Sequence, residues 1–131
     1  MANQSKNKIL IVDDEFFVRK IFGELFKKRG FDVMLATNGD EGLDMIRNNK
    51  PDLVVLDILM PGRDGLEVLR QLKKEKIIEK LPVIVLSAFS GPQYVDAAIE
   101  LGAKAYLGKA DYQIDEILSK IDELLGKSKK A

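Results

Sequence analysis

The sequence predicts a doubly wound α/β domain, and three observations predict it. Five short apolar runs alternate with five segments of helical periodicity, an order that needs crossover connections between parallel neighbours. The central runs Ile9–Val12, Leu53–Leu56 and Val83–Leu86 are apolar throughout, as strands covered on both faces must be. A chain of 131 residues, 46% of them hydrophobic, buries one substantial core and is too short for two ordinary domains.

Each element has its own signal. The first strand spans Lys8 to Val12. Val18, Ile21, Phe22, Leu25 and Phe26 then form the inward face of a helix that Gly30 closes. Asp32 to Ala36 is the second strand, followed by a helix from Asp40 to Asn49 with Leu43 and Ile46 inward, stopped before Pro51. After the strand Leu53–Leu56, Leu66, Leu69 and Leu72 mark a third helix with Asp64 as its N-cap. Val83 to Leu86 leads to Pro92, which suits the first turn of a fourth helix running to about Leu101. Ala105 to Leu107 is the last strand, and Ile114, Ile117, Leu118, Ile121 and Leu125 carry the spacing of a fifth helix. The expected organisation is a flexible N-terminus over 1–7, one domain over 8–125, and a flexible basic tail over 126–131 whose lysines serve solvation. No output domain is expected within the chain.

Composition narrows the chemistry. Lys plus Arg number 21 and Asp plus Glu number 21, so no global field argues for nucleic acid or an anionic membrane. Cys and His are both absent, which removes disulfides, thiolate or imidazole metal ligands and His general bases. Any chemistry must use carboxylates, hydroxyls, Lys or an oxygen-bound metal. No apolar run has the length of a membrane span, and the polar start lacks a signal peptide's apolar core, so a cytoplasmic chain is expected.

The polar residues of interest follow the strands. Asp13 and Asp14 follow the first, Asp57 the third, Ser87 the fourth, and Lys109 lies just past the fifth. The carboxyl ends of parallel strands line one crevice, so these five should converge. Three clustered carboxylates repel one another unless a cation compensates, which makes Mg²⁺ the natural partner, with Mn²⁺ as a substitute. Three negative charges are then matched by the ion's two positive charges and Lys109. A carboxylate attacking phosphorus forms an acyl phosphate without a general base, in keeping with a chain that has no His. Taken singly, each residue has a plainer explanation: an acidic pair at a helix N-terminus, a turn aspartate, a local serine cap, a solvated lysine. Their joint placement argues for the cluster.

The runs Ile11-Val12-Asp13-Asp14-Glu15, Leu56-Asp57-Ile58-Leu59-Met60-Pro61-Gly62-Arg63-Asp64-Gly65, Ser87-Ala88 and Tyr106-Leu107-Gly108-Lys109 resemble the response-regulator receiver family over essentially the whole chain. The resemblance implies a flavodoxin-like strand order 2-1-3-4-5 and a phosphoacceptor switch in two-component signalling. It makes Asp57 the acceptor, and it makes Asp13, Asp14 and the backbone carbonyl of Leu59 metal ligands alongside Asp57. Ser87 would bond the new phosphoryl oxygen, small Ala88 would leave room for the donor, and Tyr106 would swing inward to reshape the face of helix 4, strand 5 and helix 5. The implied partners are a sensor histidine kinase or histidine phosphotransfer protein upstream and a protein target downstream, for a monomer, with dimerisation on phosphorylation left open.

Two departures from the family pattern carry expectations. Ala110 replaces a proline common after the Lys, so the cis peptide often found there is in doubt, a non-proline cis bond costing about 2.5–4 kcal/mol. Leu59 and Phe89 flank the acceptor and cannot orient a water, so the phosphoryl group should be lost slowly. Phe16 falls opposite the inward face of its helix and should be exposed beside the site, where it could contact the donor protein.

Two other readings compete. A haloacid-dehalogenase-type phosphohydrolase needs an acid two residues past its nucleophile, where this chain has Leu59. A phosphorylation-independent, receiver-like adaptor would be marked by loss of the acidic pair, acceptor or Lys, all present here.

Overall fold

A computed structural model describes residues 7–89, 91–110 and 113–126. The elements are β1 (Lys8–Val12), α1 (Phe16–Lys28), β2 (Asp32–Ala36), α2 (Gly39–Asn49), β3 (Leu53–Leu56), α3 (Gly65–Lys74), β4 (Val83–Ser87), α4 (Pro92–Glu100), β5 (Ala105–Gly108) and α5 (Ile114–Leu124). The strands form one parallel sheet in the order β2-β1-β3-β4-β5. This is the doubly wound, flavodoxin-like architecture. Most of the flexible ends expected over 1–7 and 126–131 lie outside the described residues, including the tail lysines; Asn7 is tied in by its carbonyl, which accepts the Asp32 N–H at 2.9 Å.

The pleat explains why the central strands are apolar on both sides. Leu10, Val12, Val54, Leu56, Val83 and Val85 face a core built with Leu43 and Ile46 of α2, Val68, Leu69 and Leu72 of α3, and Ala98 of α4. Ile9, Ile11, Leu53, Val55, Ile84 and Leu86 face the opposite core, where α1 supplies Phe22 and Phe26 and α5 supplies Ile117, Leu118 and Ile121. Three helices thus cover one face and two the other.

Local chemistry closes the elements. Gly30, at φ 95°, ends α1 in the left-handed conformation; its N–H reaches the Lys27 carbonyl and the Phe31 N–H reaches that of Phe26. The Phe31 ring then stacks edge-on against Phe26 at 6.5 Å. Asn38 caps α2 through the Glu41 N–H. Asp64 caps α3 as expected, and Glu67 completes a reciprocal capping box with it.

The structure corrects some sequence expectations. Ile21 is 54% exposed and not part of the inward stripe of α1, because the bulky Phe22 and Phe26 with Gly23 set that stripe and Ile21 lies about 100° off it. Ile114, at the first position of α5, is also largely exposed. β4 and β5 each run one residue further than the apolar pattern, so Ser87 is the last residue of its strand and does not follow it. Among the described residues no peptide bond is cis, Lys109–Ala110 included.

Candidate functional site

The strand order places the site. β1 lies between β2 and β3, so the chain reverses its direction of winding there, and a crevice opens at the carboxyl ends of β1 and β3. Val12 and Leu56 are register partners, which sets the next residues, Asp13 and Asp57, side by side. The Asp57 N–H donates to the Val12 carbonyl at 2.9 Å, and the Asp13 N–H to that of Ala36 at 3.1 Å. On the other side, the Lys109 N–H donates to the Ser87 carbonyl at 2.7 Å and so aims Lys109 back at the crevice. Gly65 supports the Asp57 loop from behind: its N–H bonds the Ile58 carbonyl at 2.8 Å, and a Cβ there would lie 2.3 Å from the Asp57 carbonyl oxygen.

Carboxylate oxygens of Asp13, Asp14 and Asp57 all lie within 4.8 Å of one another, with Asp13 and Asp57 buried and Asp14 exposed. The donor set is carboxylate oxygen alone, which suits a hard divalent cation. Lys109 Nζ stands 3.0 Å from Asp13 Oδ2 and 3.5 Å from Asp57 Oδ2, and it also bonds the Glu15 carboxylate. Burial, reinforced by the charge of Asp13, pushes the Asp57 carboxyl up to about 7, against the pull of Lys109 and the Leu59 N–H. Burial also raises Asp13, opposed by the Glu15 N–H and Lys109. For Lys109 burial favours the neutral amine, but the bonds to Glu15 and Asp13 and the charge of Asp57 outweigh it and hold the ammonium firmly protonated.

The remaining residues surround this cluster. Ser87 is fully buried, and its Oγ accepts the Phe89 N–H at 3.0 Å. The half-buried Tyr106 ring packs against the α2–α4 core, and its hydroxyl donates to the Phe89 carbonyl. Burial raises that hydroxyl's pKa, with Ser87 opposing. Ala88 is exposed, and Leu59 and Phe89 are 42% and 41% exposed. Phe16 is 60% exposed, as its wheel position predicts, and stacks edge-on against Phe17 at 5.6 Å.

Sequence patterning assigned no role to Glu15 or Arg19. Glu15 pairs with Lys109, and Arg19 Nη1 donates to the Asp13 carbonyl at 2.8 Å while its guanidinium lies 6.0 Å over the Phe16 ring. An acid directly after the Asp pair, with a cation four residues on, was the available signal. A cavity of about 740 Å³ between Ile46, Lys50, Lys76 and Leu81 holds none of these residues.

The family model of the response regulator receiver domain matches residues 9–122. The chain belongs to that family. Among curated relatives, the receiver is 38% identical over 118 residues to "Sporulation initiation phosphotransferase F" of Bacillus subtilis (strain 168), covering 90% of this chain and 93% of the relative. It is 42% identical to "Response regulator MprA" of Mycobacterium sp. (strain KMS), covering 90% of this chain and only 50% of that longer relative. Among solved structures, the receiver domain of Francisella response regulator 1452 aligns with a TM-score of 0.85 at 31% identity, covering 94% of this chain and 99% of that one. A CheY-like receiver domain protein from Methanospirillum hungatei JF-1 aligns with a TM-score of 0.86 at 28% identity, covering 96% and 98%. The receiver is therefore a phosphoacceptor component of two-component signal transduction. No helix among the described residues is long and apolar enough to cross a membrane.

Proposed function

We propose that Asp57 takes a phosphoryl group from a phosphohistidine on a sensor histidine kinase or histidine phosphotransfer protein, in a Mg²⁺ site formed by Asp13, Asp14, Asp57 and the backbone carbonyl of Leu59. Mn²⁺ would serve the same donors. The observation that carries this reading is Lys109, which follows β5 and whose ammonium lies 3.0 Å from Asp13, after β1, and 3.5 Å from Asp57, after β3.

The ionised Asp57 oxygen attacks phosphorus, the P–N bond to the donor imidazole breaks, and the electron pair leaves on the ring nitrogen. When bound, the ion supplies positive charge to the phosphoryl oxygens. Lys109 shifts from the Asp57 carboxylate to a phosphoryl oxygen. The Ser87 hydroxyl turns from the Phe89 N–H to another, and Ala88 leaves the approach open. Tyr106 follows behind Ser87, and the surface of α4, β5 and α5 changes for a downstream protein target. Phe16, with exposed Phe17 and Ile21 on the same helix, faces the docked donor.

The chain acts in the cytoplasm as a monomer. Similarity across 93% of a relative named a phosphotransferase supports a role passing phosphoryl groups between proteins. A phosphorylation-independent adaptor is the less favoured reading, because the acidic trio and Lys109 are intact.

Beryllofluoride, a phosphoryl mimic, tests the switch. With Mg²⁺ it should shift amide resonances across α4, β5 and α5, and Asp57→Asn should abolish the shifts. Shifts that survive that substitution, or none at all, would remove Asp57 from the role.

A further inference from the structure

We infer that Glu15 sets the choice of phosphodonor: by holding the Lys109 ammonium at the mouth of the site, it disfavours free small-molecule anions and reserves transfer for a docked protein. The inference rests on Asp57 being the acceptor.

Glu15 stands at the N-cap position of α1, where a carboxylate ordinarily bonds the helix's free N–H groups. It makes no such bond. Its carboxylate turns instead to Lys109, 94 residues away in the chain. The Glu15 backbone is fixed by its own N–H, which donates to Asp13 Oδ1 at 2.9 Å. The direction of the side chain is thus coupled to a residue of the acidic trio.

Exposure gives the pair its order. The Lys109 side chain is 15% exposed and that of Glu15 58%, so Glu15 lies between the ammonium and solvent. Asp14 is exposed on the same rim. An anion approaching Asp57 therefore meets two carboxylates before the cation meant to receive it. Among the described residues, the carboxylates of Asp13, Asp14, Asp57 and Glu15 stand beside the ammonium of Lys109 and the guanidinium of Arg19, which is turned inward to the Asp13 carbonyl. A resident dication offsets charge within the trio, while the outermost groups on the rim, Glu15 and Asp14, remain carboxylates.

A donor that relies on its own charge for binding is repelled by such a rim, and the repulsion grows with that charge. A protein donor is held by other contacts. Phe16, Phe17 and Ile21 expose apolar surface on the helix that Glu15 begins, and docking there does not depend on phosphate charge. Once a docked donor has excluded water, Lys109 can leave Glu15 for the phosphoryl oxygens.

The test compares acetyl phosphate, a dianion near neutral pH, with phosphoramidate, which carries one negative charge fewer. Apparent second-order rate constants are measured for wild type and Glu15→Gln at saturating Mg²⁺, at low salt and at about 1 M salt, where the Debye length is about 3 Å. Mg²⁺ affinity is measured separately from tyrosine fluorescence, and melting temperature shows that the variant is folded. Glu15→Gln should speed acetyl phosphate roughly tenfold at low salt, speed phosphoramidate less, and lose both gains at high salt, with Mg²⁺ bound somewhat more weakly. Equal effects on the two donors, or none, would overturn the inference while leaving Asp57 as acceptor. Failure of wild type and Glu15→Gln alike to accept from either donor, at low and at high salt, would instead overturn the assignment of Asp57.

Discussion

Asp57 is a carboxyl poised near neutrality, held there by burial and by the charge of Asp13. In the metal-free protein its pKa of about 7 lies above the ordinary 3.8, so between those values the folded state holds a proton that the unfolded state releases. That contribution to stability is fully present below pH 4 and is lost as pH rises to about 7. Asp13, shifted in the same direction, adds to it. With a chelator present, the melting temperature should therefore fall from pH 5 to pH 8, and Asp57→Asn should remove most of that slope, a change on the order of a few kcal/mol at pH 8. An unchanged slope in the variant would place the titration elsewhere. Leu59 and Phe89 make a second prediction at this scale. Neither side chain can hydrogen-bond an attacking water, so Leu59→Asn should shorten the phosphoryl lifetime roughly tenfold or more, read as decay of the phosphorylated mass. Equal lifetimes would show that these positions do not govern hydrolysis.

At the scale of elements, the start of α3 separates two jobs performed by adjacent residues. Asp64 caps the helix, and Asp64→Ala should cost about 1 kcal/mol of stability while leaving phosphoryl acceptance intact. Gly65 has no room for a side chain against the Asp57 carbonyl, so Gly65→Ala must move either the helix or the acceptor loop. It should cost about 2–3 kcal/mol and also slow acceptance; chemical denaturation and acetyl phosphate kinetics on the two variants distinguish these outcomes. The cap was legible in the sequence because Asp64 stands just before the stripe of Leu66, Leu69 and Leu72; its reciprocal partner Glu67 was shown only by the structure. The packing of Gly65 was not legible, since only the fold brings α3 over the loop. Ile21 shows the same limit: helical spacing alone extends the inward stripe to it, whereas the stripe's true width depends on how the Phe22 and Phe26 rings fill the space above β1 and β2.

The whole molecule is a two-sided sheet whose reversal point gathers, among the described residues, four carboxylates beside Lys109 and Arg19. Alternation of apolar runs and helical segments revealed the fold class. It did not reveal the strand order, because strands apolar on both faces do not say which neighbour each pairs with, and that order came from resemblance. The acidic trio and Lys109 were legible because each follows a strand. Glu15 was not, because its role depends on a contact across the sheet to β5's far end. The charge imbalance has a global consequence: saturating Mg²⁺ should raise the melting temperature of wild type at pH 8, and Asp13→Asn should abolish most of that rise. A rise that survives Asp13→Asn would place the ion outside the trio.

The most direct measurement is the intact mass after incubation with acetyl phosphate and Mg²⁺, beside Asp57→Asn and a chelator control. One added phosphoryl group that is absent from both controls is the predicted result, and no adduct at any Mg²⁺ concentration, or an adduct retained by Asp57→Asn, would contradict it.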